Sequence, residues 1–302
     1  MTQLREGRGR AVFTVIDDNA TPLPDEHSDQ LHFKKSVTST LEYTYPLKLL
    51  CPSLASSSNC QWLYPITFGG GLVEGDVITL EVEAGPGSCV LVTTQSSTKV
   101  FHCLEEKETT QHFVLHLGRR SLMAVLPDPI VCFKDARYKQ TQHVNMTTNS
   151  NLLLLDWLTA GRMARGELWD FTSYASVNNV TVDGETVFRD AIRLSDSPSV
   201  SKKTAMVDFQ VIGMFLVLGP LLEDYSQALI KSLGASQSYN SRCDRSQLVG
   251  VSPLQFHVSG AQVKGCVVRL ATHSTSQAFH KLQEILEPLF PTLGGNPFEN
   301  KY

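Results

Sequence analysis

Gly69-Gly70-Gly71-Leu72-Val73-Glu74-Gly75-Asp76 is a glycine-rich connection between two segments that carry strand patterns. Three adjacent glycines let the backbone adopt positive φ and approach a neighbouring surface closely, as the corner of a sheet can require. After this run, residues 78–83 alternate apolar and polar side chains, the two-residue period of a half-buried strand. Gly85-Pro86-Gly87 predicts a turn, and residues 88–92 follow as a more apolar strand.

The glycine run does not match a nucleotide-binding loop. A phosphate-binding loop ends in Lys-Ser/Thr and leads into a helix whose N-terminal amides face the phosphate. Here the run ends in Glu74 and Asp76, whose carboxylates would repel phosphate, and a strand pattern follows. A dinucleotide fingerprint fails too, because the third spaced glycine and the helix are missing. A sheet corner with solvated acids is the simple interpretation.

Strand patterns continue from Lys35 to Leu194 without an intervening helix pattern. Short turns separate them, which favours an antiparallel or solenoid-like β-body, and no repeat of fixed period is visible. Two helices are predicted later, one from Pro220 to a C-cap at Gly234 and one beginning near Ser274. The predicted fold class is therefore mainly β, a large antiparallel or solenoid-like β-body with two C-terminal α-helices. We expect a single domain over residues 1–302.

Composition narrows the class of protein. With 42% hydrophobic and 19% charged residues the chain can bury a sizeable core, and a net charge of -4 without a basic stripe makes nucleic acid an unexpected partner. The first ten residues are polar and basic, and the longest apolar stretch, residues 211–222, is too short to span a bilayer. The seven cysteines contain no C-x-x-C pair. We expect a cytoplasmic protein without a membrane contact.

No catalytic or metal-binding motif stands out. There is no G-x-S-x-G elbow, and no cysteine lies in a recognisable catalytic context. His102 and Cys103 would point to opposite faces of a strand, whereas His112 and His116 would share a face but lie too far apart to bind one ion directly. The sequence therefore predicts a protein that is not an enzyme.

Four carboxylates are more informative as a set. Glu74 and Asp76 would share one face if their segment were extended. Asp156 ends a run of four leucines, where a buried carboxylate must be paired, hydrated or metal-bound. Glu167 follows Arg162 and Arg165. For Asp156 and Glu167, a buried ion pair with one of these arginines is the alternative to metal binding, and the spacing favours it.

Five segments occur together in a characteristic order. They are Tyr45-Pro46-Leu47-Lys48-Leu49-Leu50, the glycine run 69–76, Thr93-Thr94-Gln95-Ser96-Ser97-Thr98-Lys99, Leu126-Pro127-Asp128-Pro129 leading to Phe133 and Ala136, and Gly161-Arg162-Met163-Ala164-Arg165-Gly166-Glu167. In order and spacing they resemble the UreD family of urease accessory proteins, called UreH in some bacteria. The resemblance covers roughly residues 35–195, and the Leu-Pro-Asp-Pro form and the serine-rich insert before Cys60 resemble its eukaryotic branch.

The resemblance implies a non-enzymatic maturation factor with a large β-structure and helices packed toward its C-terminus. Such proteins bind apo-urease and a helical partner, urease accessory protein F, which recruits the GTPase, urease accessory protein G. The assembly delivers Ni²⁺ to the dinickel centre of urease, and a polar tunnel through the β-body is part of the family picture. Nickel would be transient cargo, and no tightly bound cofactor is expected.

Position by position, the resemblance implies metal-contacting roles for Asp76, Asp156 and Glu167. The implied tunnel-lining residues are Glu74, Thr93, Thr94 and Gln95. Oxygen ligands suit a nickel path, because selectivity among such ions rests on geometry and availability more than on raw affinity.

The C-terminal helices are the surface expected to meet the F-type partner. The residues predicted to contact it are Tyr225, Leu229, Phe279 and Leu282. Two other interpretations stay open. One is a pure scaffold whose acids are structural and which never touches metal, and the other is an unrelated hydrolase or small-ligand β-protein.

Overall fold

The structure is a computed structural model that describes residues 5–16, 33–52, 58–235, 247–299 and 301. The polar loop predicted over residues 17–30 and most of the serine-rich loop before Cys60 lie outside the described residues.

Strands dominate the described part of the chain. Their bounds are β1 (Glu6–Val15), β2 (Ser36–Tyr43), β3 (Leu47–Leu50), β4 (Cys60–Thr67), β5 (Val77–Ala84), β6 (Cys89–Val92), β7 (Thr98–Val100), β8 (Thr109–Leu117), β9 (Leu122–Val125), β10 (Ile130–Cys132), β11 (Arg137–Met146), β12 (Asn151–Thr159), β13 (Ser173–Val182), β14 (Glu185–Ser195), β15 (Val211–Leu218), β16 (Gln247–Val258) and β17 (Ala261–Thr272).

Helices are concentrated late in the chain. The α-helices are α1 (Lys202–Met206), α2 (Glu223–Ala235), α3 (Thr275–Leu286) and α4 (Phe290–Leu293), and single 3₁₀ turns cover Met163–Arg165, Pro220–Leu222 and Glu287–Leu289. None of the helices within the described ranges is long and apolar enough to cross a membrane.

Two sheets stack face to face, and their central strands are parallel. In the seven-stranded sheet the order is β14-β13-β11-β8-β5-β1-β2, with parallel pairing from β13 through to β1. In the ten-stranded sheet, eight strands follow the order β16-β17-β15-β12-β9-β6-β4-β3, and β4, β6, β9 and β12 are parallel neighbours. The other two are β10, which pairs with β12, and β7, which pairs with β10. The chain alternates between the sheets, so each pass adds one coil to a β-solenoid. Of the two predicted architectures, the solenoid-like one is therefore confirmed for the body, and antiparallel pairing is confined to its edges.

The coils differ in length, which explains why no fixed repeat is visible in the sequence. Val77, Thr110, Lys139 and Ala175 occupy equivalent positions in four successive coils, and the intervals between them are unequal. Loops of different length are inserted at the corners, whereas the strands keep their register.

The glycine run forms one of these corners. Gly69 and Gly70 adopt positive φ values of 91° and 73° in an exposed turn. A side chain at Gly71 would meet the Lys99 carbonyl oxygen at 2.8 Å, because Leu72 pairs there with Val100 of the next coil. The predicted sheet corner, with both positive φ and a close backbone approach, is confirmed.

Alternating side chains create two hydrophobic layers. On β12, Leu152, Leu154 and Leu158 face the core between the sheets. The side chains in between, such as Leu153 and Trp157, face the layer between the ten-stranded sheet and the helices. Since this strand is buried on both faces, it reads as a continuous apolar run rather than an alternating one.

The two predicted helices are confirmed as α2 and α3, with differences at their ends. Pro220 begins a 3₁₀ turn that leads into α2, and this helix continues past the predicted cap at Gly234 to Ala235. Ser274 caps α3 by accepting a hydrogen bond from the Gln277 amide, as the capping-box pattern predicts. The short helices α1 and α4 are additional, because segments of five and four residues carry too little periodicity to predict.

The last segment of the chain folds back over the first coils. The Trp62 indole N–H of β4 donates to the Leu293 carbonyl oxygen at 2.7 Å. Phe298 packs edge-on against Trp157 and Phe279, with ring centroids 6.3 and 5.3 Å apart. These contacts hold residues 290–299 on the ten-stranded sheet, and we call this segment together with Lys301 the clasp.

Truncating a core leucine tests this architecture. Leu154→Ala removes a fully buried side chain between the sheets, and it should lower the free energy of unfolding by about 2–5 kcal/mol in denaturant titrations. Leu104→Ala is the matched control, since Leu104 is 80% exposed, and it should change stability by less than about 0.5 kcal/mol. Equal effects of the two substitutions would contradict the assigned core.

Candidate functional site

A layer of polar side chains interrupts the core between the sheets. Three neighbouring parallel strands, β8, β11 and β13, carry amides or a hydroxyl at inward positions that are otherwise apolar. The register aligns Gln140 with both Gln111 and Ser176, and it aligns Gln142 with Asn178. Gln142 Nε2 donates to Asn178 Oδ1 at 2.8 Å. We call these five side chains the polar ladder.

Asp156 on β12 faces the polar ladder from the opposite sheet. Its carboxylate accepts hydrogen bonds from Ser176 Oγ at 2.6 Å, Asn178 Nδ2 at 2.7 Å and Gln140 Nε2 at 3.2 Å. Burial raises the pKa of Asp156, and these hydrogen bonds offset only part of that effect. The ion pair with Arg162 or Arg165 that the spacing favoured is therefore wrong for Asp156, because neutral donors satisfy it.

A cavity of about 70 Å³ lies between the sheets beside the polar ladder. Its polar lining includes Asp156, Thr93, Thr94 and Asp128 as well as the three ladder glutamines. Three residues predicted to form the nickel path, Asp156, Thr93 and Thr94, therefore border the same space. The cavity has room for more than one water-sized guest.

An outer groove of about 340 Å³ adjoins this cavity. The two spaces share the lining residues Pro65, Thr67, Thr94 and Thr98, and the groove extends along the glycine run to the exposed Gln95. Thr94 and Thr98 therefore line both spaces, the groove also being lined by the glycine corner and the cavity by Asp156.

Glu74 and Asp76 hold the corner together instead of lining this route. They lie in a turn, not in the extended segment that would align them, because the Asp76 amide donates to the Val73 carbonyl oxygen at 3.0 Å. The Asp76 carboxylate accepts two hydrogen bonds from Arg5, at 2.6 and 2.8 Å, and one from the Val73 amide. Within the described residues, neither the cavity nor the groove is lined by these two acids.

Glu74 organises the loop that follows β7. Its carboxylate accepts from the amides of Leu104, Glu105 and Lys107 at 2.6–2.9 Å and from the Cys103 thiol at 2.9 Å. Desolvation pushes the pKa of Glu74 upward, but these donors outweigh it and lower the pKa to about 2.

Glu167 forms the ion pair that its spacing predicts. Both of its oxygens face the Arg162 guanidinium, with Arg162 Nε 2.8 Å from Oε2, and the Lys134 amide donates to the same oxygen at 3.1 Å. The hydrogen bonds from Arg162 lower the pKa of Glu167, opposed by desolvation. Arg162 also stacks over the Phe133 ring at 4.1 Å. Glu167 therefore stabilises the loop of residues 161–167.

The four side chains predicted to contact a partner serve the core of the chain itself. Leu229, Phe279 and Leu282 are buried between the helices and the ten-stranded sheet, and the Tyr225 hydroxyl donates to the Ile285 carbonyl oxygen at 2.8 Å. A partner that docks on α2 and α3 would therefore meet the opposite, polar face of these helices.

Across the described ranges, no three His, Cys, Asp or Glu side chains come together as a metal site. The groups around the cavity are carboxylate, amide and hydroxyl oxygens. Ligands of this type suit passing contacts with a hydrated divalent cation better than tight retention of it.

The polar ladder and Asp128 are absent from the site predicted from sequence. A signal for the ladder does exist, because Gln140 and Gln142 occupy the inward phase of an alternating strand where Tyr138, Val144 and Met146 are apolar. Recognising it requires knowing which phase faces inward.

Comparisons with known proteins assign a family. The family model described as UreD urease accessory protein matches residues 28–301. The urease accessory protein D of Arabidopsis thaliana is 38% identical over 270 residues, covering 84% of this chain and 92% of the relative.

Other relatives extend from plants to bacteria. The urease accessory protein D of Oryza sativa subsp. indica is 35% identical over 274 residues, covering 84% of this chain and 88% of the relative. The urease accessory protein UreD of Anaeromyxobacter sp. (strain Fw109-5) is 33% identical over 253 residues, covering 84% of this chain and 80% of the relative. These relatives carry the names of accessory proteins, not of enzymes, in agreement with the prediction from sequence.

The hydrogen bonds of Glu74 generate a prediction about acid stability. Because the pKa of Glu74 is lowered from 4.5 to about 2, its stabilising effect is present above pH 4.5 and disappears as the pH falls toward 2. The Glu74→Gln variant should therefore melt at a lower temperature than wild type at pH 7, and the gap should close between pH 4.5 and 2. Thermal unfolding followed by circular dichroism measures this gap. Glu185→Gln, at an exposed position on β14, is the matched control, and a gap for Glu74→Gln that does not change with pH would contradict the assignment.

Proposed function

This chain belongs to the UreD urease accessory protein family, whose role is in urease maturation, and we propose that within this role it helps to deliver Ni²⁺ to apo-urease. The single observation that carries the proposal is that a cavity lined by Asp156 and an outer groove at the glycine corner share Thr94 and Thr98. In this proposal the two spaces form a route for the ion. Asp156 is half-buried and all of its hydrogen-bond donors are neutral, so no fixed positive charge competes with a cation there.

The chemistry of this route suits cargo better than a resident metal. Oxygen and amide donors replace part of the hydration shell of Ni²⁺, and the neutral partners of Asp156 leave its negative charge without a fixed counter-ion. A passing cation would be attracted by that charge and would still leave, since soft thiolate or imidazole ligands are not gathered there in the described part of the chain.

The proposed partners follow from the family. We propose that the chain binds apo-urease and urease accessory protein F, and that it meets the GTPase, urease accessory protein G, through F. In this proposal the protein works in the cytoplasm. The outer face of α2 is the docking surface we favour for F, because Asp224, Gln227 and Lys231 are exposed one helical turn apart.

A pure scaffold is the second candidate function. Glu74, Asp76 and Glu167, three of the acids that the family resemblance put near nickel, are engaged in hydrogen bonds and ion pairs that stabilise loops. Their geometry favours a structural role for these three residues. Nickel delivery and the scaffold role therefore make different predictions for Asp156, because this residue does not stabilise a loop.

The deciding experiment measures nickel per urease active site and urea hydrolysis after co-expression of apo-urease and the other accessory proteins, with and without this chain. Loading should require the chain. Asp156→Asn keeps the size of the side chain and removes the charge, but it also replaces one accepting oxygen by an NH₂ donor, so thermal unfolding must first show that the variant is folded. The folded variant should slow loading by on the order of tenfold, a loss typical for metal sites that lose one supporting group.

Glu185→Gln is the control for Asp156→Asn, because it neutralises an exposed acid far along the sheet edge. Normal loading with Asp156→Asn would favour the scaffold. Loading that is equally fast without the chain, at limiting nickel, would reject the maturation role in this system.

The partner surface generates a separate prediction. Lys231→Glu reverses an exposed charge on α2 and should weaken binding to the F-type partner by about tenfold, or about 1.4 kcal/mol, in a titration of the purified proteins. Lys139→Glu reverses an exposed charge on the seven-stranded sheet and should have no effect. Equal weakening by both variants would point to a general charge effect and reject α2 as the docking surface.

A further inference from the structure

Asp128 is the second carboxylate on the cavity, and its environment is unusual. It is 1% exposed and lies in the Leu-Pro-Asp-Pro segment between β9 and β10. Its Oδ2 accepts from the Thr94 hydroxyl at 2.8 Å, and its amide donates back to the same hydroxyl oxygen at 2.7 Å. Burial raises the pKa of Asp128, although nearby positive charge counteracts the effect.

One oxygen of this carboxylate has no partner. Asp128 Oδ1 is buried and makes no hydrogen bond with any described residue. A buried acceptor without a donor costs stability, because the hydrogen bonds it made to water in the unfolded chain are not replaced. Asp76 shows what a structural carboxylate looks like in the same chain, because both of its oxygens are satisfied by Arg5 and the Val73 amide. Asp128 retains an acceptor that a guest in the cavity can use.

The other oxygen of Asp128 already holds a cation that belongs to the chain. Lys301 Nζ lies 2.9 Å from Asp128 Oδ2 and 2.6 Å from the Thr94 carbonyl oxygen. The ammonium is also 5.7 Å from the centre of the Phe298 ring, which packs on Trp157. The clasp therefore inserts a tethered positive charge at the wall of the cavity.

From these contacts we propose that the cavity is a binding site for a divalent cation, that Asp128 is one of its ligands, and that Lys301 is a built-in competitor. Asp128 and Asp156 line the cavity together with the ladder glutamines, and all of these side chains bear oxygen. A divalent cation at Asp128 Oδ1 would satisfy the unpartnered oxygen. The ammonium weakens its binding by partly neutralising the carboxylate and by repulsion, so the site releases cargo readily.

This inference rests on the proposed function only for the identity of the cation as Ni²⁺. Phe298 anchors the clasp in the core, whereas Lys301 lies beyond this anchor. Movement of the Lys301 side chain alone would remove the competitor, and the site would then bind the cation more tightly.

Calorimetric titration of the purified chain with Ni²⁺ tests the site directly. Lys301→Met keeps the aliphatic stem and removes the charge, and it should tighten Ni²⁺ binding by about tenfold or more, because a unit charge at contact distance is strongly felt in a poorly solvated site. Lys301→Arg keeps a positive charge and should bind as weakly as wild type. Adding Asp128→Asn to Lys301→Met should abolish the gain.

Lys281→Met is the matched control. Lys281 is 16% exposed, compared with 14% for Lys301, and it pairs with Glu284 on α3 instead of with a cavity residue. It should leave Ni²⁺ binding unchanged. Thermal unfolding with and without Ni²⁺ checks that each variant is folded, and Lys301→Gln replaces Lys301→Met if the latter is not.

Two outcomes would overturn the proposal. Unchanged affinity in folded Lys301→Met or Lys301→Gln would show that the ammonium does not compete with a cation, and a gain that persists with Asp128→Asn would show that Asp128 is not a ligand. Either failure is separable from failure of the proposed function, because urease loading with wild-type chain is measured independently of these titrations. A chain that supports loading but fails the titrations refutes this inference alone.

Discussion

Parallel stacking in register is the constraint on which the rest of this structure depends. When successive coils repeat the same path, an inward side chain in one coil lies directly beside its counterpart in the next. Apolar residues then build continuous rows, and polar residues at the same phase build a ladder that no single strand could hold alone. Gln140 shows this clearly, since its neighbours on both sides, Gln111 and Ser176, are polar as well. Asp156, half-buried on the opposite sheet, takes its three hydrogen-bond donors from this row.

The five carboxylates discussed above are stabilised in four different ways. Glu74 collects backbone amides, Asp76 and Glu167 each face an arginine, Asp156 has neutral side-chain donors, and Asp128 has a single lysine and an oxygen left over. The first three are closed arrangements that fix loops. The last two border the cavity, and of these Asp156 accepts three hydrogen bonds whereas Asp128 Oδ1 accepts none. The role of each acid therefore depends on its partners and surroundings, which residue type does not reveal.

Local features of the fold could be predicted from the sequence, whereas features created by distant pairing could not. Alternation over residues 78–83, the glycine corner and the Ser274 cap depend on neighbours within a few residues, and the structure confirms all three. Glu74 and Asp76 were expected to share a face, but a turn separates them because Arg5 and the loop after β7 capture their carboxylates. Asp128 was not predicted as a site residue for a similar reason. Lys301 is distant in sequence, and its contact with Asp128 forms only in the folded chain. The Glu167 ion pair was predictable because Arg162 lies five residues away.

The clasp also fixes an order of events during synthesis of the chain. A ribosome releases β4 and the segment of Asp128 long before residues 290–301, yet the Trp62 indole and the Asp128 carboxylate find their partners at Leu293 and Lys301. The coils can stack vectorially as they emerge, each on the one before it. For most of translation, however, the indole N–H of Trp62 and the carboxylate of Asp128 lack these partners. Both groups are therefore exposed to premature ligands and to holding chaperones until Leu293 and Lys301 have emerged.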